Sequence, residues 1–203
     1  MSDFIPENAL DVLTQRLRAE DSVITPHVRS TDAAPALGLL VAAGPRASAA
    51  PGEYALVVES IREGYLLHYA DPRVVVGADG DLALLAGDYL YARGLERLAA
   101  LEDLEAVREL SDLISLSAQV HVQDDGDSVA EALWLASAVA VAAGGGHAHD
   151  GAKAAVREDG ADPRAALLSA ARSGAERAGI ADALTTAADS VGLAFPDVPD
   201  DRG

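Results

Sequence analysis

The chain has 203 residues, half of them hydrophobic, no cysteine, and a formal charge of −18 from 15 Lys and Arg against 33 Asp and Glu. That length and apolar content suit one domain with a continuous core, and the missing cysteines exclude disulfides, thiolate metal sites and a thiol nucleophile. The acidity, with no basic patch, argues against nucleic acid or an anionic membrane surface as partner. It reads instead as a solvated surface, and the wealth of Ala, Asp and Arg beside a single lysine, Lys153, fits a GC-rich genome or salty surroundings.

Helical signals dominate from the start. Pro6 and Glu7 open an amphipathic segment with Leu10, Leu13 and Leu17 on one side, ending near Asp21. A polar link through Pro26 leads to "PALGLLVAAGP", a short apolar helix closed by Gly44 and Pro45, and "RASAAPG" follows as a loop. Between Glu53 and Asp71 the stripe Tyr54, Val58, Ile61, Tyr65 and His68 predicts a helix that Pro72 stops. "RVVVGADGD" resembles a strand but has no partner strand, so it is expected to be an extended linker. Residues 83–99 form the next helix, and Leu104 to about Gln123 another, with Val107, Leu110, Ile114 and Val120. After "QDDGD", Ser128 and Glu131 have capping-box spacing and start a helix at Val129 that runs through "ALWLASAVAVAA". "GGGHAHDGA" is expected to be a break or turn. Two helices, Pro163 to Ala178 and Ile180 to Val191, complete the set. The expected class is all-α, a single helical domain over 1–195 with a disordered polar tail at 196–203.

The opening "MSDFIPENAL" has no basic start followed by an apolar core, so no leader is expected. The longest apolar run, Ala132 to Ala143, is shorter than the ~20 residues of a membrane span. With no cysteine, a reducing cytoplasm is the expected location.

One residue stands out. In "ALLAGDYLYARGLERLA" the spacing of Leu84, Tyr91, Leu95 and Leu98 marks one helical face, and Asp88 falls on it. An unpaired buried carboxylate costs several kcal/mol, so the position needs a partner. This stretch, with Gly87 and Asp88, is similar to a helix of the trans-type polyprenyl diphosphate synthases. "VVESIREGYLLH" resembles another helix of that family, matching at Glu59, Ile61, Leu66 and His68, and "APALGLLVAAG" resembles an earlier one at Pro35 and Gly44. Order and rough spacing agree from about residue 29 to 143.

The resemblance implies a truncated helical bundle of the isoprenoid synthase type, and the family's chemistry shows what has been lost. Ionising an allylic diphosphate relies on magnesium held by aspartates, with arginine and lysine clamps. After His68, where the family has its first aspartate-rich motif, this chain has Tyr69, Ala70, Asp71, Pro72 and Arg73. The arginine pair that follows in the family is missing. The positions that grip isopentenyl diphosphate align with Thr31 and Ala34, and the Lys-Thr pair falls near Val139 and Ala140. No second aspartate-rich motif appears. The resemblance therefore implies no catalytic residue, no bound metal and no cofactor. It implies a non-catalytic or regulatory subunit, in a homo- or hetero-oligomer with a catalytic prenyl synthase chain, with family-type pairing through the helix at 83–99. Glu59, His68 and Asp88 are the candidate ligand-binding residues.

Other readings start from single features. Ala136, Ala140 and Ala143 leave room for an isoprenoid or other lipid bound without chemistry. Glu59, His68 or Asp71 offers groups for an unrelated residual activity, although a hydrogen-bonded core role is the simpler reading of His68. Asp124 to Asp127 and "HAHD" carry metal-ligand types, read here as a solvated turn and a glycine-rich loop.

Overall fold

The computed structural model describes residues 4–122, 126–158, 162–193 and 195. Among them lie nine α-helices: α1 (Ala9–Ala19), α2 (Ala36–Ala42), α3 (Pro51–Tyr69), α4 (Gly80–Ala100), α5 (Leu104–Val120), α6 (Gly126–Ala143), α7 (His147–Arg157), α8 (Pro163–Ala178) and α9 (Ala181–Ser190). Short 3-10 turns stand at Pro6–Asn8, Thr25–His27 and Pro45–Ala47. The all-α expectation holds. No helix among the described residues is long and apolar enough to cross a membrane.

Two helices form the axis. Every residue of α3 from Gly52 to Leu67 is buried, so α3 is enclosed on all sides rather than amphipathic along the single stripe read from its sequence. In α6 the run Ala132 to Ala142 is buried as well. The remaining helices wrap this pair: α1, α2 and α4 pack on α3, and α2, α5 and α8 on α6. Trp134, Leu110, Leu113 and Leu167 fill the larger core, while Leu10, Leu13, Leu17, Leu56, Leu90 and Val75 fill a smaller one on the far side of α3.

Helix starts follow local chemistry. Asp79, Asp103 and Asp162 cap α4, α5 and α8 by accepting the amides of Leu82, Ala106 and Ala165. Gly179, at φ 71°, closes α8 in the left-handed conformation that glycine adopts without strain. Helix α6 begins at Gly126, so Ser128 and Glu131 lie inside it and their spacing does not mark its boundary. The segment "RVVVGADGD" is an extended linker as expected, but it does find a partner. Val75 makes an isolated antiparallel bridge with Val28, with Arg29 N donating to Val74 O and Val76 N to His27 O. The tail 196–203 and Asp124 and Asp125 lie outside the described residues.

The α3–α4 contact is closer than leucines would allow. A Cβ on Gly87 would stand 2.6 Å from the His68 ring, and one on Gly94 2.4 Å from Ile61 Cγ1. These contacts rotate α4 so that Ala86, Gly87, Leu90, Gly94 and Leu98 face inward. Leu84 and Asp88 turn outward, Asp88 with 72% of its side chain exposed. The buried stripe expected from Leu84, Asp88 and Tyr91 is therefore displaced, because helix approach is set by the smallest side chains. Gly94→Ala is expected to destabilise the protein by about 1–3 kcal/mol through overpacking against Ile61, measurable as a lowered urea midpoint. The same substitution at Gly80, where a Cβ meets nothing within 4 Å, should leave the midpoint close to wild type.

Candidate functional site

The α3 sequence places Glu59 and Glu63 one turn apart, and both are fully buried. Glu59 Oε1 accepts the amide of Gly38 at the start of α2 (2.7 Å), and its Oε2 lies 2.7 Å from Arg73 Nη1. Glu63 Oε1 accepts the amides of Val74 (2.6 Å) and Val75 (3.1 Å), and its Oε2 lies 3.3 Å from Arg73 Nε. One guanidinium thus serves two carboxylates and ties the extended linker to the central helix. Burial by itself works against the charge on Arg73, but Glu59 and then Glu63 outweigh it and raise its pKa. Glu59 is therefore engaged by the Gly38 amide at one oxygen and by Arg73 at the other.

His68 and Asp88, by contrast, come together. Gly87 leaves room for the His68 ring, which stacks on Tyr91 at 5.3 Å with its plane 4° away, and His68 Nε2 lies 3.2 Å from Asp88 Oδ1. The pair sits near the C-terminal end of α3, whereas Glu59 lies more than two turns earlier along the helix. Asp88 thus meets His68 at the surface, where its carboxylate is largely solvated and the burial penalty expected of it does not arise.

The end of α3 is closed by rings. Tyr69 stacks on His121 at 4.1 Å, Tyr65 Oη lies 2.9 Å from His121 Nε2, and Tyr65 meets Trp134 edge-on. Arg62 lies over both Tyr65 and Trp134 and donates to both oxygens of Glu131 (2.7 and 2.8 Å). The C-terminal end of α3 therefore presents aromatic side chains, while Glu59, Glu63 and Glu131 are engaged by arginines and, for the first two, backbone amides. Among the described residues no group of three or more His, Asp or Glu side chains is placed to hold a metal ion. Asp71 is exposed and stands apart from Glu59 and Glu63.

A second polar cluster went unnoticed in the sequence. The stretch expected to be a break, "GGGHAHDGA", breaks only at Gly144–Gly146, and α7 follows. The buried His149 and Lys153 and the exposed Arg157 recur every four residues along α7 and meet an acidic face of α5. Glu109 Oε1 lies 3.0 Å from His149 Nε2 and 2.9 Å from Lys153 Nζ, and Asp112 pairs with Lys153 and Arg157. Lys153, the sole lysine, is only 4% exposed, and His149 is 7% exposed. Burial would raise the Glu109 carboxyl, but the hydrogen bond and charge of His149 and the charge of Lys153 prevail and hold it at about 2. His147 is exposed at the start of α7, so the two histidines of "HAHD" do not converge as ligands. The missed signal was the i, i+4, i+8 recurrence of basic residues opposite Glu109 and Asp112.

No protein family, curated protein or solved structure matches the chain in the comparisons made.

Proposed function

We propose that the chain is a polyprenyl synthase-like, non-catalytic subunit that pairs with a catalytic prenyl diphosphate synthase through α4. The observation that carries this reading is Arg73 held between Glu59 and Glu63. It ties the linker that follows α3 back onto the middle of that helix, so that the buried carboxylates nearest the place where the resemblance puts the diphosphate chemistry are occupied by the chain itself. A scaffold of that kind acts by shape, bracing a partner's active site or product tunnel.

The outer face of α4 suits such pairing. Leu84 and Leu85 are exposed, Leu85 at 66%, and Leu85 shares a groove of about 570 Å³ with Val23, Ile24 and Tyr89. Asp81 and Asp88 lie in the first half of the helix, while Arg93 and Arg97 in its second half are paired within the chain with Glu20, Glu96 and Glu53. The lipid-binding alternative has less support: Ala136 and Ala140 line a cavity of about 180 Å³, smaller than the ~300–1,000 Å³ of typical ligand pockets, and the adjoining cavity of about 470 Å³ that Ala140 also borders is lined mostly by charged side chains.

The test is reconstitution. Purified alone with magnesium, isopentenyl diphosphate and farnesyl diphosphate, the chain should give no elongated product. Purified from its native host, it should bring down a prenyl synthase whose product length changes when the chain is removed. Leu85→Glu should weaken that complex at least tenfold, a loss of about 1.4 kcal/mol, while leaving the melting temperature of the isolated chain within a degree or two. Elongation by the chain alone would overturn the proposal.

A further inference from the structure

The groove beside α4 has a form and a charge that together narrow what can occupy it. Its lining residues on α4, from Leu82 through Leu85, Ala86 and Tyr89 to Arg93, follow helical spacing over a length of about 16 Å at ~1.5 Å per residue. The facing bank is the turn at residues 20–24 that follows α1, where Val23 is 75% exposed. Val23 and Leu85 thus line one continuous groove rather than standing singly on the surface, which is how an apolar interaction site differs from scattered exposed residues. Tyr89 Oη donates to Glu20 Oε2 across the groove at 2.7 Å, so the two banks are tied together. The amides of Ser22 and Ile24 are taken by Thr25 Oγ1 and Ser22 Oγ, and those of α4 by its own helix. No backbone donor is therefore left for an extended chain. A helix, which docks through side chains alone, is the occupant that fits.

Charge narrows the partner further. Asp81, Leu85, Asp88 and Ala92 recur at steps of four, three and four and are all exposed, so the flank of the groove on α4 carries two carboxylates beside Leu85. On the other bank Asp21 is exposed between Glu20 and Ser22. Arg93, the one cation among the lining residues, is shared by Glu20 and Glu96. The neighbouring cations are also engaged, Arg16 and Arg97 with Glu53 and Arg18 with Ser30. Asp88 meets His68, whereas Asp21 and Asp81 have no cationic partner among the described residues. A second copy of this chain would bring the same acids, and a net charge of −18, against this rim. We infer that the groove binds an amphipathic helix of a different protein, with large apolar side chains set between Val23 and Leu85 and flanks lined by lysine or arginine. The inference rests on the reading of α4 as a pairing face and adds that the surface it pairs with is unlike this chain and basic.

The test is fluorescence anisotropy of labelled helical peptides titrated with the full chain. One peptide carries a leucine face flanked by arginine, a second the same face flanked by glutamate, and a third the arginine composition scrambled so that no leucine face forms. The first should bind at least tenfold more tightly than the other two, with an affinity that falls as salt rises. Val23→Glu and Leu85→Glu, both at exposed positions, should each weaken that binding about tenfold or more. Asp81→Asn with Asp88→Asn should weaken it several-fold and flatten the salt dependence. Asp182→Asn with Asp189→Asn, an equal change of charge on α9, should leave it unaltered. The inference is overturned by equal binding of the scrambled or the glutamate peptide, by no binding of the arginine peptide up to about 1 mM, or by sedimentation that shows a dimer of this chain dissociated by Leu85→Glu. These outcomes stand apart from the prenyl synthase reading, which fails if the chain elongates prenyl diphosphates alone, whatever the peptides do.

Discussion

Arg73→Met is expected to lower the unfolding free energy by about 3–5 kcal/mol, read as a large drop in the denaturation midpoint at unchanged slope. The substitution leaves a side chain of similar length but strands Glu59 and Glu63, both fully buried, with backbone amides as their only donors. Removing one partner of a buried ion pair is far more damaging than removing both, since the remaining charge keeps its desolvation penalty. The double variant Glu59→Gln with Arg73→Met should therefore recover part of the loss, and the cycle should give a coupling energy well above ~0.5 kcal/mol. Glu63 would then rely on the amides of Val74 and Val75. A local signature should accompany the global one. Because Arg73 anchors the linker, the amides of Arg29 and Val76, which bond across to Val74 and His27, should exchange faster than those of α6. A loss below about 1 kcal/mol would mean that Arg73 is not the counter-charge of this pair.

The sequence carried the apolar part of the fold clearly. Leu10, Leu13 and Leu17 mark the buried face of α1, and Leu110 and Val120 that of α5, because their helices bury a single stripe of large side chains against the core. Periodicity fails where burial is all-round or where the inward face is not made of large apolar residues. In α3 the charged residues Glu59, Arg62 and Glu63 are as buried as the leucines, so the stripe from Tyr54 to His68 describes only part of a helix enclosed on every side. In α4 the inward face sets Leu90 and Leu98 among Ala86, Gly87 and Gly94, which carry little hydrophobic signal, and the visible Leu84 belongs to the outside. In α7 two of the four buried positions are His149 and Lys153, so a hydrophobic pattern is almost absent and the leading glycines read as a loop.

The candidate site was legible to a similar degree. Glu59, His68 and Asp88 could be picked out from spacing and resemblance, and His68 with Asp88 do meet. The role of Glu59 could not be seen, because it depends on Arg73 reaching back from a linker fourteen residues later, and no local pattern encodes that return. The same holds for Glu109 and Lys153, whose contact joins two helices forty-four residues apart.

That distant contact yields the second large expected effect, on the acid side of the stability profile. An unfolded chain takes a proton on Glu109 near its ordinary value of 4.5, whereas the folded protein does so only at about 2. Between those values the unfolded state binds more protons, so stability rises with pH through this window. The contribution is fully present above pH 4.5, shrinks as the pH falls and is gone once the folded carboxyl titrates; its size is roughly 3 kcal/mol. Glu109→Gln should lack that contribution at pH 7 and show a flatter acid limb than wild type. Some slope should remain from Asp103 and Asp112, whose carboxyls are also held low. The loss should be concentrated in α7, whose contact with α5 is made by His149, Lys153 and Arg157, while Ala152 and Val156 are its only buried apolar side chains. Amide exchange in α7 should accordingly accelerate in Glu109→Gln at neutral pH, and in wild type as the pH falls below 4.5, before α3 or α6 responds. Equal acid limbs for the two proteins would mean that Glu109 titrates in the folded state as it does in the unfolded one, and that α7 is held by its two apolar contacts rather than by charge.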